Sequence, residues 1–337
     1  MRKKVMILFP DGNLPYSPTI INLIRFLADQ FDVSILAQRY SKKADIETAH
    51  FTFITFEYRL TRNKVNSLME VVKKIRNRVY RKIGLKGDIP VNVKQDLKVV
   101  AKNINAIKPD IIIAVDLFAL FCCEKFNIHC VFLSLEIPTK SIFQRSLSYA
   151  NIDRVLIQSK ERYDNLFNEV IDKPPYFVLP NAPVFKNPEK RTISSRKLIY
   201  NGYIWSAFGP QFCLSFITKF PEYELHLKGA FHHNENMMNN YFPFLLNTKS
   251  LIIETEYLSQ EELNNYLQQF SIGFCFYNFE HPFIKENAFN YLTAPSGKLF
   301  TYLGIGLPVI CSDIKAFKIV EKCGAGILID DYSPDNI

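Results

Sequence analysis

No stretch of this chain is apolar for long enough to cross a bilayer as a helix. Its most hydrophobic window, Ile111 to Phe121, is interrupted by Asp116 and falls short of the ~20 residues such a helix needs. The start, MRKKVMILFP, is basic like a secretory leader, but its apolar part ends at Pro10, Asp11 and Gly12 without a small-residue cleavage site. It reads as a first strand. Paired cysteines are also missing. The seven cysteines (Cys122, Cys123, Cys130, Cys213, Cys275, Cys311 and Cys323) are scattered, mostly in apolar runs, and no C-x-x-C occurs, so the usual zinc and redox spacings are excluded and a reducing cytoplasm is expected. No D-x-D pattern is present, and the adjacent His232 and His233 cannot form the i, i+4 ligand pair of a helical metal site. The expectation is chemistry without a metal or other cofactor. Low-complexity tracts are absent too. With 48% hydrophobic residues over 337 positions, the chain is expected to fold as two domains of ordinary size.

Acidic residues are scarce in one region. Between Arg59 and Lys86 a single acid, Glu70, faces Arg59, Arg62, Lys64, Lys73, Lys74, Arg76, Arg78, Arg81, Lys82 and Lys86, while Leu68, Val71, Val72, Ile75, Val79 and Ile83 recur at helical spacing. This predicts a basic amphipathic helix. It suits an anionic membrane surface, each basic residue contributing about 1 kcal/mol, or else packs its apolar stripe on its own domain. Nucleic acid is not an expected partner, because no nucleic-acid-binding motif accompanies the charge. A location in the cytoplasm, peripheral on the inner face of the membrane, follows from this reading.

Strand and helix patterns alternate from end to end, the signature of parallel sheets wrapped by helices. Strands are expected at Val5–Phe9, Val33–Ala37, Phe51–Phe56, Ile111–Val115, Cys130–Leu135 and Val155–Gln158, with helices at Pro18–Phe31 and from an N-cap at Ser159 to Val170. Leu179-Pro180-Asn181-Ala182-Pro183 and the polar run to Arg196 read as a hinge. A second alternating half follows, with strands at Leu198–Asn201, Tyr223–Leu227, Leu251–Glu254, Gly273–Phe276, Pro308–Cys311 and Gly326–Ile329. The expected domains are 1–181 and 182–337.

The most informative segment is PSGKLFTYLGIGLPVICSD, Pro295 to Asp313. Pro295 stops what precedes it, Ser296 is a natural N-cap whose hydroxyl can accept from the N–H groups that follow, and Gly297 lets a ligand approach the main chain. Lys298 adds a movable positive charge. The open N–H groups and the helix dipole favour a bound anion by roughly 0.3–2 kcal/mol, so a diphosphate is the expected occupant. Ligands of parallel sheets lie beyond the carboxyl ends of the strands. That rule places Gly202, Tyr203, Lys228, Gly229, Tyr257, Tyr277, Asn278 and the turn Ser296–Lys298 on one rim, where Tyr257, Tyr277 and Tyr291 are rings able to stack on a base.

Taken in order, LPNAP, LIYNGYI, YELHLKG, YLSQEELNNYLQQFSIGFCFYN, KLFTYLGIGLPVICSD and KCGAGILIDD resemble the two-domain GT-B glycosyltransferases, of the glycosyltransferase family 4 type with a divergent donor motif. The resemblance spans nearly the whole chain. It implies an α/β fold of two Rossmann-like domains facing each other across a cleft, the first (1–181) holding the acceptor and the second (182–337) a nucleoside diphosphate sugar, UDP-linked before others. It also implies a hexosyltransferase that moves the sugar to a glycan or lipid-linked acceptor in polysaccharide biosynthesis, and terminal helices that the family usually carries beyond the point where this chain ends. Carried over by position, Gly202 and Tyr203 lie near the donor phosphates, Ser296, Gly297 and Lys298 form the diphosphate turn, and Thr301 stands where a ribose-binding Glu is usual. The family's acidic pair falls on Thr293 and Thr301, and its basic pair is missing from YIWSAFGP. Those departures leave Lys228 and Lys298 to supply positive charge, and they keep open a non-catalytic GT-B subunit that stabilises an active transferase; an epimerase of the same architecture is a third reading.

An inverting transfer needs a carboxylate or His to take the acceptor proton. Strand ends of the first half offer Glu136, which precedes Pro138 and is the first choice, then Asp116, then Asp11, with Gly12 beside it on the acceptor side.

Overall fold

The structure, a computed structural model, describes residues 2–10, 12, 14, 17–38, 51–56, 93–137, 147–181, 195–232, 249–294 and 296–337. The basic helix expected at 59–86, together with Asp11, Pro138 and Pro295, lies outside these residues. Contacts divide the chain into two units, Met1–Leu179 and Pro180–Ile337.

The near-continuous apolar runs of the first half become strands because both faces of a parallel sheet are covered. In order, β1 (Lys4–Phe9), α1 (Pro18–Ala28), β2 (Asp32–Gln38), β3 (Phe51–Phe56), α2 (Val93–Ile107), β4 (Ile111–Val115), α3 (Asp116–Lys125), β5 (Cys130–Ser134), β6 (Ile152–Ile157), α4 (Lys160–Leu166) and β7 (Tyr176–Val178) make up the first unit. The strands pair in the order β3-β2-β1-β4-β5-β6-β7, every pairing parallel. The two-residue period sorts the side chains. Met6 and Leu8 enter one buried cluster with Leu36, Ala114 and Phe132, whereas Val5, Ile7 and Phe9 enter the other with Ile35, Ile113 and Leu133. Pro18 stands at the start of α1, where its fixed φ suits the first turn and no N–H is lost. The expected helix to Val170 stops at Leu166, and Phe167 instead buries its ring against Tyr149 and Tyr163. The short edge strand β7 carries no alternation and was not expected from the sequence; it is held by its pairing to β6.

The second unit repeats the plan with β8 (Lys197–Asn201), α5 (Pro210–Lys219), β9 (Glu224–Lys228), β10 (Leu251–Glu254), α6 (Gln260–Leu267), β11 (Ile272–Cys275), α7 (Pro282–Glu286), α8 (Ala288–Thr293), α9 (Gly297–Gly304), β12 (Val309–Ser312), α10 (Ile319–Lys322) and β13 (Gly326–Ile329). Its strands run β10-β9-β8-β11-β12-β13, again all parallel. Both units are therefore Rossmann-like α/β layers, as expected. Helix α6 opens with a reciprocal capping box, Ser259 accepting from Glu262 N while the Glu262 carboxylate accepts from Ser259 N.

Strand order reverses between β1 and β4 in the first unit and between β8 and β11 in the second. At such a switch point the connections leave to opposite faces and a crevice opens beyond the strand ends.

One core contact decides how α9 sits on its sheet. The Tyr302 ring fills the space above Gly273 in β11, so that a methyl built there would lie 2.7 Å from the ring, and the Tyr302 hydroxyl accepts from Asn201 N at 2.7 Å. Gly273→Ala is expected to lower the stability of the second unit by about 1–3 kcal/mol, the usual cost of overfilling a core. Urea unfolding followed by Trp205 fluorescence reads this, because Trp205 is the only tryptophan and lies in that unit; an unchanged midpoint would show that the ring yields freely.

Candidate functional site

In the second unit the site is built at the end of β8 and the start of α9. Gly202 follows β8 with φ +131°, donates its N–H to Lys228 O at 2.8 Å and leaves a gap where a side chain would stand. Lys298 occupies that gap. Its Cε and Nζ lie 3.2 and 3.6 Å from the point a Gly202 Cβ would take, and Nζ lies 3.8 Å from the centre of the Tyr200 ring. The aromatic face attracts the ammonium. Tyr200 is pinned in turn by its hydroxyl, which donates to Tyr203 O at 2.8 Å. Burial holds Lys298 below the ordinary lysine range, and among the described residues no carboxylate pairs with it. A half-buried cation without a counter-ion is one an incoming anion satisfies.

Ser296 takes the N-cap position of α9, but its hydroxyl does not cap the helix, contrary to the sequence expectation. It bonds to the Cys275 thiol at the end of β11, and the Leu299 N–H bonds to the same sulfur. Cys275, fully buried, thus does the capping; burial raises its thiol pKa and keeps it neutral. The N–H groups of Gly297 and Lys298 have no acceptor among the described residues, so the first turn of α9 keeps two open backbone donors. The side chain of Asn181, from the hinge expected in the sequence, leans over Gly297, with Nδ2 3.3 Å from where a Cβ would be.

The other residues that the sequence places on the donor side are arranged less simply. Lys228 is buried, with Nζ 5.4 Å from the Tyr266 ring centre. It joins a network in which His226 contacts Glu224 (2.7 Å), Glu254 (3.2 Å) and the Tyr266 hydroxyl (2.8 Å). Against burial, hydrogen bonds from Tyr266 and His226 and the charge of Lys228 hold the Glu254 carboxyl below its usual range. Tyr277, expected as a stacking ring, is instead a core residue, 8% exposed among Phe208, Tyr291 and Phe317, while its N–H donates to Ser312 Oγ. The Tyr291 ring joins the same cluster. Asn278 closes a turn by accepting from Glu280 N at 3.1 Å. Thr301 spends its hydroxyl on Gly297 O at 2.9 Å and is buried. Tyr203 and Tyr257 are exposed, and Tyr203 meets His232 edge-on.

In the first unit the two candidate carboxylates come together. Asp116, directly after β4, has φ +61°, a conformation costly for a residue with a Cβ, and its Oδ1 accepts from Leu135 N (2.8 Å) and Glu136 N (2.9 Å). Burial pushes the Asp116 carboxyl up to about 7, opposed by those two N–H groups, helped by the charge of Glu136 and opposed by that of Arg162. Glu136 is exposed at the end of β5. Gly12, after β1, closes a turn by donating to Phe9 O at 2.9 Å and accepts from Gln38 N at 3.2 Å. Arg162, Cys275 and Gly273 escaped the sequence reading. Arg162 lies in a polar helical run that reads as solvated, and Cys275 in an apolar strand. Among the described residues no cluster of three or more His, Cys, Asp or Glu is arranged to hold a metal, and no helix is long and apolar enough to cross a membrane.

No protein-family model matches the chain, and no curated protein matches it. Solved structures do. The sucrose-phosphate synthase of Thermosynechococcus elongatus is similar over 98% of this chain and 87% of its own, at 11% identity and a TM-score of 0.64. HepE of Anabaena, solved with UDP and glucose, is similar over 99% and 87%, at 12% identity and 0.64. WaaG, a glycosyltransferase involved in lipopolysaccharide biosynthesis, is similar over 99% and 88%, at 9% identity and 0.60. At these identities the likeness establishes the fold, and the chain has the GT-B fold of these glycosyltransferases.

Proposed function

We propose that this protein is a glycosyltransferase that moves a hexose from a nucleoside diphosphate sugar, UDP-linked before others, to a glycan or lipid-linked acceptor. The observation that carries it is Lys298, a half-buried ammonium with no carboxylate partner among the described residues, seated over Gly202 and the Tyr200 ring at the start of α9. Departure of the sugar leaves negative charge growing on the diphosphate, and donors fixed in advance at that point stabilise it. The same donors answer the need that a bound metal meets elsewhere, so turnover is expected to survive EDTA. In this reading residues 182–337 hold the donor and 1–181 the acceptor, whose hydroxyl proton goes to Glu136. The basic segment 59–86 would keep the enzyme on an anionic membrane surface, peripheral to the cytoplasmic face.

A second reading is a non-catalytic subunit with this fold. Thr301 favours it, because its hydroxyl is turned back onto Gly297 O and offers no carboxylate to a ribose. A panel of nucleotide sugars separates the readings. Donor hydrolysis or transfer in EDTA supports the transferase, nucleotide binding without turnover supports the subunit, and interconversion of free donor would make the protein an epimerase and overturn both.

A further inference from the structure

Three consecutive strand ends of the first unit meet at one peptide. Asp116, after β4, accepts from the N–H groups of Leu135 and Glu136, and Arg162, in the first turn of α4 after β6, donates Nη2 to Leu135 O at 2.8 Å. The Leu135–Glu136 segment is therefore gripped on its N–H side by a carboxylate and on its carbonyl side by a guanidinium. Arg162 is fully buried, and its backbone N–H is fixed by Ser159 Oγ, the cap of α4, at 3.3 Å. A fully buried arginine touches no substrate from that position. What it can do is hold the strand end from which the exposed Glu136 projects.

We propose that Asp116 and Arg162 are positioning residues that clamp the Leu135–Glu136 peptide and aim the Glu136 carboxylate at the acceptor hydroxyl. This rests on the transferase reading above and divides between three residues a role the sequence left to two carboxylates. Asp116 is held in a left-handed backbone conformation by the clamp, with Glu136 and Arg162 the charged groups that face it among the described residues. Its ionisation matters to Glu136 because a negative Asp116 binds the two N–H groups more firmly and so fixes the strand end that carries Glu136. Burial sets that ionisation near neutrality, against the pull of the N–H groups. The rate is therefore expected to rise with pH through about 7 as Asp116 loses its proton.

The test uses the full chain and the sugar nucleotide that the panel turns over, with donor kcat and KM measured across the neutral range. Glu136→Gln is expected to lower kcat by on the order of 100-fold or more with donor KM unchanged. Asp116→Asn keeps an oxygen that accepts both N–H groups; it is expected to lose only on the order of tenfold in kcat and to lose the step near neutrality. Asp116→Ala, which frees both N–H groups, is expected to approach the loss of Glu136→Gln. In the second measurement, which requires no turnover, the Asp116 carboxyl is followed by carbon-13 NMR in aspartate-labelled protein. Arg162→Met removes a cation that favours the ionised form, so the Asp116 midpoint is expected to move up, and Arg162→Lys, a milder change if the first fails to fold, is expected to restore part of the shift. An Asp116→Asn variant as inactive as Glu136→Gln would make Asp116 itself the base and overturn the assignment. So would an Asp116 midpoint unmoved in both Arg162 variants, whatever the activity. If no sugar nucleotide is consumed the transferase reading fails, and the NMR midpoints still decide the clamp.

Discussion

Lys298→Ala is expected to weaken UDP binding by about tenfold to about 150-fold, corresponding to the roughly 1.5–3 kcal/mol of a hydrogen bond to a charged group, while uridine binding is nearly unchanged. The contrast arises because Nζ sits over Gly202 and Tyr200 at the start of α9, where the diphosphate would bind and not the nucleoside. Calorimetry with UDP and uridine on both proteins reads it, and equal losses for the two ligands would remove Lys298 from the diphosphate site. The pH dependence carries the same information. Burial depresses the Lys298 pKa, so the free protein holds this group less firmly protonated than the unfolded chain does. Between the depressed folded value and the ordinary one, the unfolded state binds more protons, so this group's contribution to stability rises with pH in that window and its cost is fully present below it. UDP reverses the sense by favouring the ammonium. Its affinity is expected to fall as pH rises through the folded Lys298 value, and Lys298→Ala should abolish that fall.

Gly229→Ala is expected to be the most damaging single methyl at the rim, at about 4 kcal/mol or more. Gly229 has φ +149°, and a Cβ there would lie 1.8 Å from Gly202 O, a backbone atom that cannot rotate away. Strain in a backbone region reserved for glycine contributes about 1–3 kcal/mol, and displacement of the neighbouring chain about as much again. Because the displaced residue is Gly202, the seat of Lys298 moves with it. Gly324→Ala is the control: φ is +60° and nothing lies within 4 Å of its added methyl, so it should lose only the roughly 1–2 kcal/mol of a left-handed conformation. Trp205 reports both in urea unfolding of the second unit, its indole stacked on His232 at 4.3 Å. Similar midpoints for the two variants would mean that the 202–229 contact relaxes and is not rigid.

The order of elements was legible because it depends on local spacing. Alternate residues of VMILF face opposite sides of a strand whatever surrounds them, Pro18 and Ser159 mark helix starts through their own geometry, and Gly304 and Gly306 end α9. The helix start at Ser296–Lys298 was legible for the same reason. Where the reading went astray, a partner distant in sequence had intervened. Ser296 looked like a cap because serine caps helices, yet Cys275 approaches from the neighbouring strand and takes both the hydroxyl and the Leu299 N–H. Tyr277 looked like a ring on the rim, but helix α8 and its neighbours close over it.

The sequence by itself determined the alternation of strands and helices, the presence of two α/β halves, and the helix start carrying Lys298, since each follows from periodicity and from the conformational limits of glycine, proline and capping residues. Tertiary structure alone decided which side chains meet: Tyr302 with the Asn201 N–H across 101 positions, and Asp116 with the Leu135 N–H across 19. The reason is that burial and hydrogen bonding are properties of neighbours, and strand order, which no local pattern encodes, chooses the neighbours. Thus Arg162, an ordinary charge in the sequence, becomes a buried clamp once β6 is laid beside β5.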